Sequence, residues 1–467
     1  MTTSEVRLET ATATIDDGTY ASLRDRLRGQ LMCPGEDGYD SARQVWNAMI
    51  DRRPALIARC AGVADVIASI DFSRANDLLV AVRGGGHNVA GNAVCDGGLM
   101  IDLSPMKGIR VDPAARTAWA EAGVTWGELD HETQVFGLAT VGGTISTTGI
   151  AGLTLGGGFG WLSRHYGLVC DNLIAVDVVT ADGRFLHASA EEHADLFWGL
   201  RGGGGNFGVV TSFKYWLHEV GPTVLAGPIF HPLGSAREVF QVFRDAAATA
   251  PDALGSMAAL MTSPEGVPLA ALVPVFSGPL ADGEAALRPL RAIDGPVADL
   301  VGPMPYQVMQ TLFDAAFPPD RRNYWKSGFL QGLDDDAIGV LVEHFPRAPS
   351  PYAGVAIELY GGAANRVGPR ETAFPHRDYP FNVLIFTAWD DPAHDAANIQ
   401  WARELWTAMQ PFAADGVYVN YLGDAAAEGQ DRVRAAYGDA TYDRLATLKR
   451  TYDPTNLFRM NQNITPA

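Results

Sequence analysis

The sequence predicts an α+β protein built as two lobes. Three observations lead there. The chain has 467 residues, more than one hydrophobic core normally serves. Short apolar runs with strand character alternate with segments of helical period along its length. The composition also changes near residue 220: glycine-rich loops crowd the region before it and thin out after it. The hydrophobic fraction of 47% and the charged fraction of 19% are those of a globular chain.

The elements follow in order. "YDSARQVWNAMI" carries apolar residues at helical spacing, and "DRRPALIARC" follows with a proline and an extended apolar stretch. "GVADVIASIDFSRAND" reads as an amphipathic helix. "LLVAVRGGG" reads as a buried strand opening into a loop. "IRVD" and "TAWAEAG" alternate as strands do, and "GELDHETQVFG" is a short helix closed by glycine. A strand "NLIAVDVVTADG", a helix near "HADLFWGLRG" and a strand after "GGGGNFG" complete the first part. Beyond residue 220, "ALRPLRAI" and "DDAIGVLVEHF" read as helices. "YAGVAIELYGG", "FNVLIFTAW" and "GVYVNYLGD" read as strands. The tail is a helix, then an extended segment from Pro454.

The net charge of −19 repels nucleic acid and anionic lipid, so neither is an expected partner. Cys33, Cys60, Cys95 and Cys170 form no C-x-x-C pair and read as buried free thiols. The histidines form no metal signature. The N-terminus lacks the basic and apolar regions of a secretory signal, and no apolar run reaches the ~18 residues of a membrane span. A cytoplasmic location is the expectation.

Three glycine-rich loops each follow a short strand: 84–91, 142–160 and 202–208. The second holds eight glycines in nineteen residues. Glycine lets backbone N–H groups approach a ligand and converge as an anion nest. The natural ligand is a diphosphate, and three such loops can wrap a dinucleotide. The first loop is not a Rossmann fingerprint, because a strand and no long helix follows it, and no Gly-Lys-Ser/Thr marks a Walker loop. In "VRGGGHNVAGN" the single histidine, His87, sits where a pyrophosphate would lie. Donor to phosphate and nucleophile toward a cofactor are both open to it.

"LLVAVRGGGHNVAGNAVCDGGLMIDLSPM" resembles the flavin-attachment segment of the vanillyl-alcohol-oxidase superfamily. The closer likeness is to the berberine-bridge-enzyme-like and 6-hydroxynicotine-oxidase-like FAD-linked oxidases. "GGGFGWLSRHYGLVCDN", "DLFWGLRGGGGNFGVVT", "TAFPHR", "YVNY" and "YDPTNLFRMNQNI" support it in order. The resemblance implies a PCMH-type FAD domain made by both chain ends (1–220 and 426–467). An α/β substrate domain at 221–425, an antiparallel sheet covered by helices, is inserted between them. It implies FAD bonded through a His87 ring nitrogen to the C8-methyl carbon of its ring system. The FAD contacts are assigned to Gly84, Gly85, Gly86, Asn88 and Gly91 in the first loop. Gly142, Gly143, Thr144, Thr147, Thr148, Gly149, Gly152 and Gly156 follow in the second. Gly208, Val209, Val210, Asn420 and Asn461 come after them. Arg83 is expected to add a charge toward the phosphates. Many relatives form a second bond from a cysteine where this chain has Ile145, so a single covalent bond is expected. Three residues on, Thr148 falls where the family controls access of dioxygen, and a small side chain there implies an oxygen-using enzyme.

Oxidation of a substrate C–H bond needs a base and an aligned pocket. In a strand "AIELYGG", Glu358 and Tyr360 share one face. In a strand "VYVNYLGD", Tyr418 and Asn420 share a face and Tyr421 points to the other. In relatives the tyrosine after the asparagine is the active-site phenol, which maps onto Tyr421. With its pKa lowered by a nearby cation or by the flavin it would serve as base; Glu358 is the other candidate, as base or as the group that tunes the tyrosine. Tyr418 and Thr148 complete the catalytic set. The expected reaction is oxidation of a small alcohol, amine or phenolic, polyketide-like molecule, with dioxygen as acceptor. A flavin oxygenase of natural-product tailoring and a non-catalytic flavin-binding protein are the alternatives.

Overall fold

The computed structural model describes residues 8–9, 14–423 and 429–467. The boundary expected at 425/426 lies outside the described residues. Three sheets organise the chain. A four-stranded sheet runs in the order Gln30–Met32, Leu56–Arg59, Leu99–Asp102, Val80–Arg83, and its last three strands are parallel. The crossover helix Val63–Ala75 joins two of them, as parallel pairing requires. A five-stranded antiparallel sheet contains Thr117–Glu121, Leu173–Val179 and Val209–Trp216. Both sheets contribute to one continuous core.

A nine-stranded antiparallel sheet occupies most of the second half. Pro268–Phe276, Leu254–Thr262, Gly354–Leu359 and Phe381–Trp389 are consecutive in it, and Arg322–Leu330 follows them at the edge. Side chains alternate across these strands. Leu260, Ile357, Val383 and Ile385 point to one face, where the helices Ala236–Ala247, Asp335–His344 and Asp395–Met409 bury them. Ala259, Ala356, Glu358 and Leu384 point to the other, toward the glycine loops. The tail returns to the first lobe. Lys449 Nζ donates to Asp453 (2.7 Å), to the carbonyl of Asn206 (2.8 Å) and to that of Phe458 (2.9 Å), all buried. That ties the C-terminal segment to the third glycine loop. All four cysteines are buried and free. No helix among the described residues is long and apolar enough to cross a membrane.

Four local expectations are corrected. Helix in "YDSARQVWNAMI" stops at Arg43. Beyond it the backbone N–H of Trp46 donates to Gly86 and that of Ala48 to Arg321, so this segment is held extended by partners far away in sequence. The helix near "ALRPLRAI" lies earlier, at Leu280–Leu287. "VYVNYLG" is no strand: Val419–Tyr421 is a 3-10 turn. Three residues per turn bring positions i and i+3 together, so Tyr418 and Tyr421 meet edge to face at 4.8 Å and do not point apart. Tyr360 lies just past the strand end and is stacked on Phe159 in the core.

Asp130 is buried with neither carboxylate oxygen hydrogen-bonded, and burial holds its pKa well above the usual 3.8. A carboxyl whose pKa is raised by folding loses stability as pH climbs from its unfolded value toward its folded one. Asp130→Asn is therefore expected to match the parent near pH 4 and to exceed it above, by up to about 1.4 kcal/mol per pH unit. Denaturant unfolding of both proteins across that pH range measures the gap.

Candidate active site

The three glycine loops, the open face of the large sheet and the returning tail enclose a cavity of about 990 Å³. That is the upper end of the range for small-molecule sites. The first and second loops cross with their backbones touching: a Cβ on Gly85 would lie 2.5 Å from the Gly149 nitrogen, and the reverse holds equally. Only glycine fits either position. Gly156 packs against the Asn420 amide, where any Cβ would collide with Oδ1. The second loop is anchored to the large-sheet lobe by Asp314, which accepts from the Ser146 N–H (2.9 Å) and hydroxyl (2.5 Å).

Of the cofactor residues expected from sequence, sixteen line this cavity. They are Gly84, Gly85, Gly86, His87, Asn88, Gly143, Thr144, Thr148, Gly149, Gly152, Gly156, Gly208, Val209, Val210, Asn420 and Asn461. Four do not. Arg83 turns away: its guanidinium forms a two-point pair with Asp102 (2.9 and 2.6 Å) in the adjacent parallel strand, so its charge is already matched. Gly91 is set by its positive φ of 67° and by packing against Ile50. Gly142 packs on Trp126 and Gln310, and Thr147 is exposed outside the wall. Ile145, whose side chain offers no nucleophile, also lines the cavity.

His87 stands on the wall with its imidazole stacked on Trp46 at 4.5 Å and 15°. Trp46 is fixed by a bond from its Nε1 to the Phe317 carbonyl (3.1 Å) and by edge contact with Trp325. Burial lowers the His87 pKa to about 4, so the ring is neutral at physiological pH. Its Nε2 is buried with no hydrogen-bond partner. Two acceptors of other residues on the cavity wall, Asn461 Oδ1 and Gln462 Oε1, are likewise buried and unpartnered. A neutral imidazole, unpartnered amide oxygens and loops of glycine N–H groups are what a flavin dinucleotide needs from its host.

The catalytic candidates separate. Glu358 and Tyr421 meet: the Tyr421 hydroxyl donates to Glu358 Oε1 at 2.6 Å, and the Asn382 amide donates to Oε2 at 2.9 Å. Burial raises the Glu358 pKa to about 7, against the pull of those two donors. Burial, then the neighbouring Glu358, push the Tyr421 pKa well above 10. The expectation of a phenol with lowered pKa is thereby reversed, because the phenol is buried and its partner is a carboxylate. Tyr418 leaves the catalytic set. It is 1% exposed and off the cavity wall, and its hydroxyl accepts from the Phe159 N–H (3.1 Å) and the Asn420 amide (2.9 Å). Thr148 lines the cavity, and its carbonyl accepts from the Trp126 N–H. His376 and Arg377 are structural. His376 Nε2 bonds to the carbonyls of Ala435 and Ala436, and Arg377 pairs with Asp171. Sequence reading missed Trp46, Trp325 and Asn382; assigning Trp46 to a helix hid its place beside His87.

A family described as "FAD binding domain" matches residues 54–189, and one described as "Berberine and berberine like" matches residues 417–465. The chain is 31% identical to (R)-6-hydroxynicotine oxidase of Paenarthrobacter nicotinovorans, over 94% of its own length and 97% of that protein's. It is 31% identical to a FAD-linked oxidoreductase of Dictyostelium discoideum, over 95% and 96% of the two chains. The crystal structure of 6-hydroxy-D-nicotine oxidase from Arthrobacter nicotinovorans superposes with a TM-score of 0.87 at 30% identity, covering 94% of this chain and 98% of that one. The BBE-like 1 protein of Physcomitrella patens shares the fold at a TM-score of 0.86 and 24% identity, over 96% and 99% of the two chains.

Proposed function

This chain belongs to the berberine-bridge-enzyme-like FAD-linked oxidoreductases, and from that premise we propose that it oxidises a small organic molecule with covalently held FAD and dioxygen as the final acceptor. The single observation that carries the reading is the buried Glu358–Tyr421 pair facing the cavity that His87 and the three glycine loops share. When bound, FAD supplies two-electron chemistry: it accepts hydride from the substrate carbon and passes the electrons to dioxygen.

The chain's own residues do the rest. His87 presents a neutral ring nitrogen for a single bond to the C8-methyl carbon, since protonation would tie up the lone pair. Glu358, with a pKa near 7, accepts the substrate O–H or N–H proton. Tyr421 donates to Glu358 and orients it; its phenol stays protonated. Asn420 braces the second loop by donating to the Leu153 carbonyl (3.1 Å). Thr148 leaves space on the wall for dioxygen. The lobe made by 1–220 and 426–467 holds FAD, and the lobe at 221–425 holds the substrate.

The test is peroxide yield per substrate consumed. About one hydrogen peroxide per turnover supports an oxidase. A yield well below one, with labelled oxygen in the product, replaces this reading with an oxygenase. Tyr421→Phe is expected to slow flavin reduction about tenfold or more and leave reoxidation nearly unchanged, as stopped-flow absorbance of the two half-reactions would resolve.

A further inference from the structure

Residues 44–52 lie as a strap along the first glycine loop. The Trp46 N–H donates to the Gly86 carbonyl (3.0 Å) and the Asn47 amide to that of Val89 (2.7 Å). The Arg52 guanidinium donates to the carbonyls of Gly91 (3.0 Å) and Val94 (3.1 Å). These bonds follow chain order on both segments, so the strap holds the loop on either side of His87.

The strap also grips the second lobe. The Ala48 N–H donates to the Arg321 carbonyl (2.9 Å). The Asn47 amide donates to the Asn323 carbonyl (3.0 Å), and its Oδ1 accepts from the Asn323 N–H (2.9 Å). Asn47 is buried, so one side chain satisfies backbone groups of both lobes where an apolar residue would leave them unpaired. The edge strand Arg322–Leu330 and the first loop are thereby fixed relative to each other.

Trp46 is the point where this strap meets His87. Its buried ring lies on the imidazole at 4.5 Å and 15°. Its own position is set from the second lobe, by the bond from its Nε1 to the Phe317 carbonyl (3.1 Å) and by the edge of Trp325 at 5.5 Å. Trp325 belongs to the edge strand. A histidine ring turns about its last side-chain bond with only a broad preference, and hydrogen bonds at its nitrogens ordinarily choose the orientation. The Nε2 of His87 has no such partner, so the flat face of Trp46 sets the ring plane. The lone pair of an imidazole nitrogen lies in that plane. Fixing the plane fixes the direction in which the nitrogen can meet a carbon atom.

We infer that Trp46 is the positioning residue for covalent attachment at His87, held in place by the strap and by the edge strand of the second lobe. The inference rests on the attachment proposed above. In that step one C–H bond of the C8-methyl group and the N–H bond of the imidazole break, and a C–N bond joins the two. Two electrons and two protons are released. Dioxygen receives both electrons by way of the flavin, takes up the protons and becomes hydrogen peroxide. Trp46 takes no part in the bonding; it presents the nitrogen.

The experiment compares the purified parent with Trp46→Phe and Trp46→Leu. Total bound flavin is read from absorbance, and the bonded fraction from flavin retained in an acid pellet. The variants are then incubated with FAD in air, and the rise of the pellet fraction is followed. Phenylalanine keeps a flat face on His87; leucine fills space without one. Trp46→Phe is expected to hold a bonded fraction within about twofold of the parent, and Trp46→Leu to form the bond at least about tenfold more slowly than Trp46→Phe at similar total flavin. Should Trp46→Leu fold poorly, Trp46→Met, whose flexible side chain also lacks a flat face, is read in the same way. A Trp46→Leu protein bonded as fully and as fast as Trp46→Phe would overturn the inference. So would a fall in total flavin with the bonded fraction of the remainder unchanged, which is the signature of packing damage alone. A parent whose flavin all passes to the acid supernatant would instead overturn the attachment on which the inference rests.

Discussion

Glu358→Gln is expected to slow flavin reduction by about 10²–10⁴-fold, or about 3–5 kcal/mol of barrier, while the protein keeps its flavin and fold. Glutamine preserves shape and an oxygen that can still accept from the Tyr421 hydroxyl. What it removes is the ability to take a proton. The pH profile separates this from a packing effect. Burial places the Glu358 pKa near 7, and the base works only when ionised, so kcat/KM of the parent should fall as pH drops through about 7. That limb should vanish in Glu358→Gln. A variant that reduces its flavin at the parental rate would remove Glu358 from the mechanism. A variant that is slow but keeps the same limb would assign the titration to another group.

His87→Ala is expected to abolish the covalent bond completely while leaving FAD bound by the glycine loops. Acid precipitation reads this directly: yellow flavin should stay with the parent pellet, on the peptide containing His87, and pass to the supernatant in the variant. The site favours His87 for two physical reasons. Its ring is neutral because burial disfavours the cation, and its Nε2 has no competing hydrogen-bond partner. Turnover should fall as well, since a ring system freed from His87 is positioned less firmly in the cavity. Flavin retained in the acid pellet of His87→Ala would overturn the attachment site. Ile145, on the same cavity wall, offers no alternative nucleophile, so a retained bond would have to come from a side chain outside the expected set.

Much of this site can be read locally. Glycine loops after short strands are a backbone property. The nests around His87, Gly149 and Gly208 therefore follow from composition, and the family motifs sharpen them. Glu358 is legible for a related reason: a lone carboxylate in an apolar strand must be buried, and a buried carboxylate needs partners. The pairing of Glu358 with Tyr421 is not legible, because the two lie 63 residues apart and meet only when a turn packs against a sheet. Arg83 fails as a phosphate ligand for the same kind of reason. Its partner Asp102 is chosen by the parallel register of two strands joined through the first glycine loop, which no spacing in the sequence announces.

The sequence by itself determined the glycine cradle, the histidine within it, the family and the α+β class, because each is carried by contiguous residues whose backbone needs are local. Tertiary structure alone decided the rest. Packing stacked Trp46 on His87, withdrew Tyr418 into the core and paired Tyr421 with a carboxylate. That pairing turned an expected phenolic base into a hydrogen-bond donor. The physical reason is that a pKa and a hydrogen bond depend on what surrounds a side chain, and those neighbours come from segments distant along the chain.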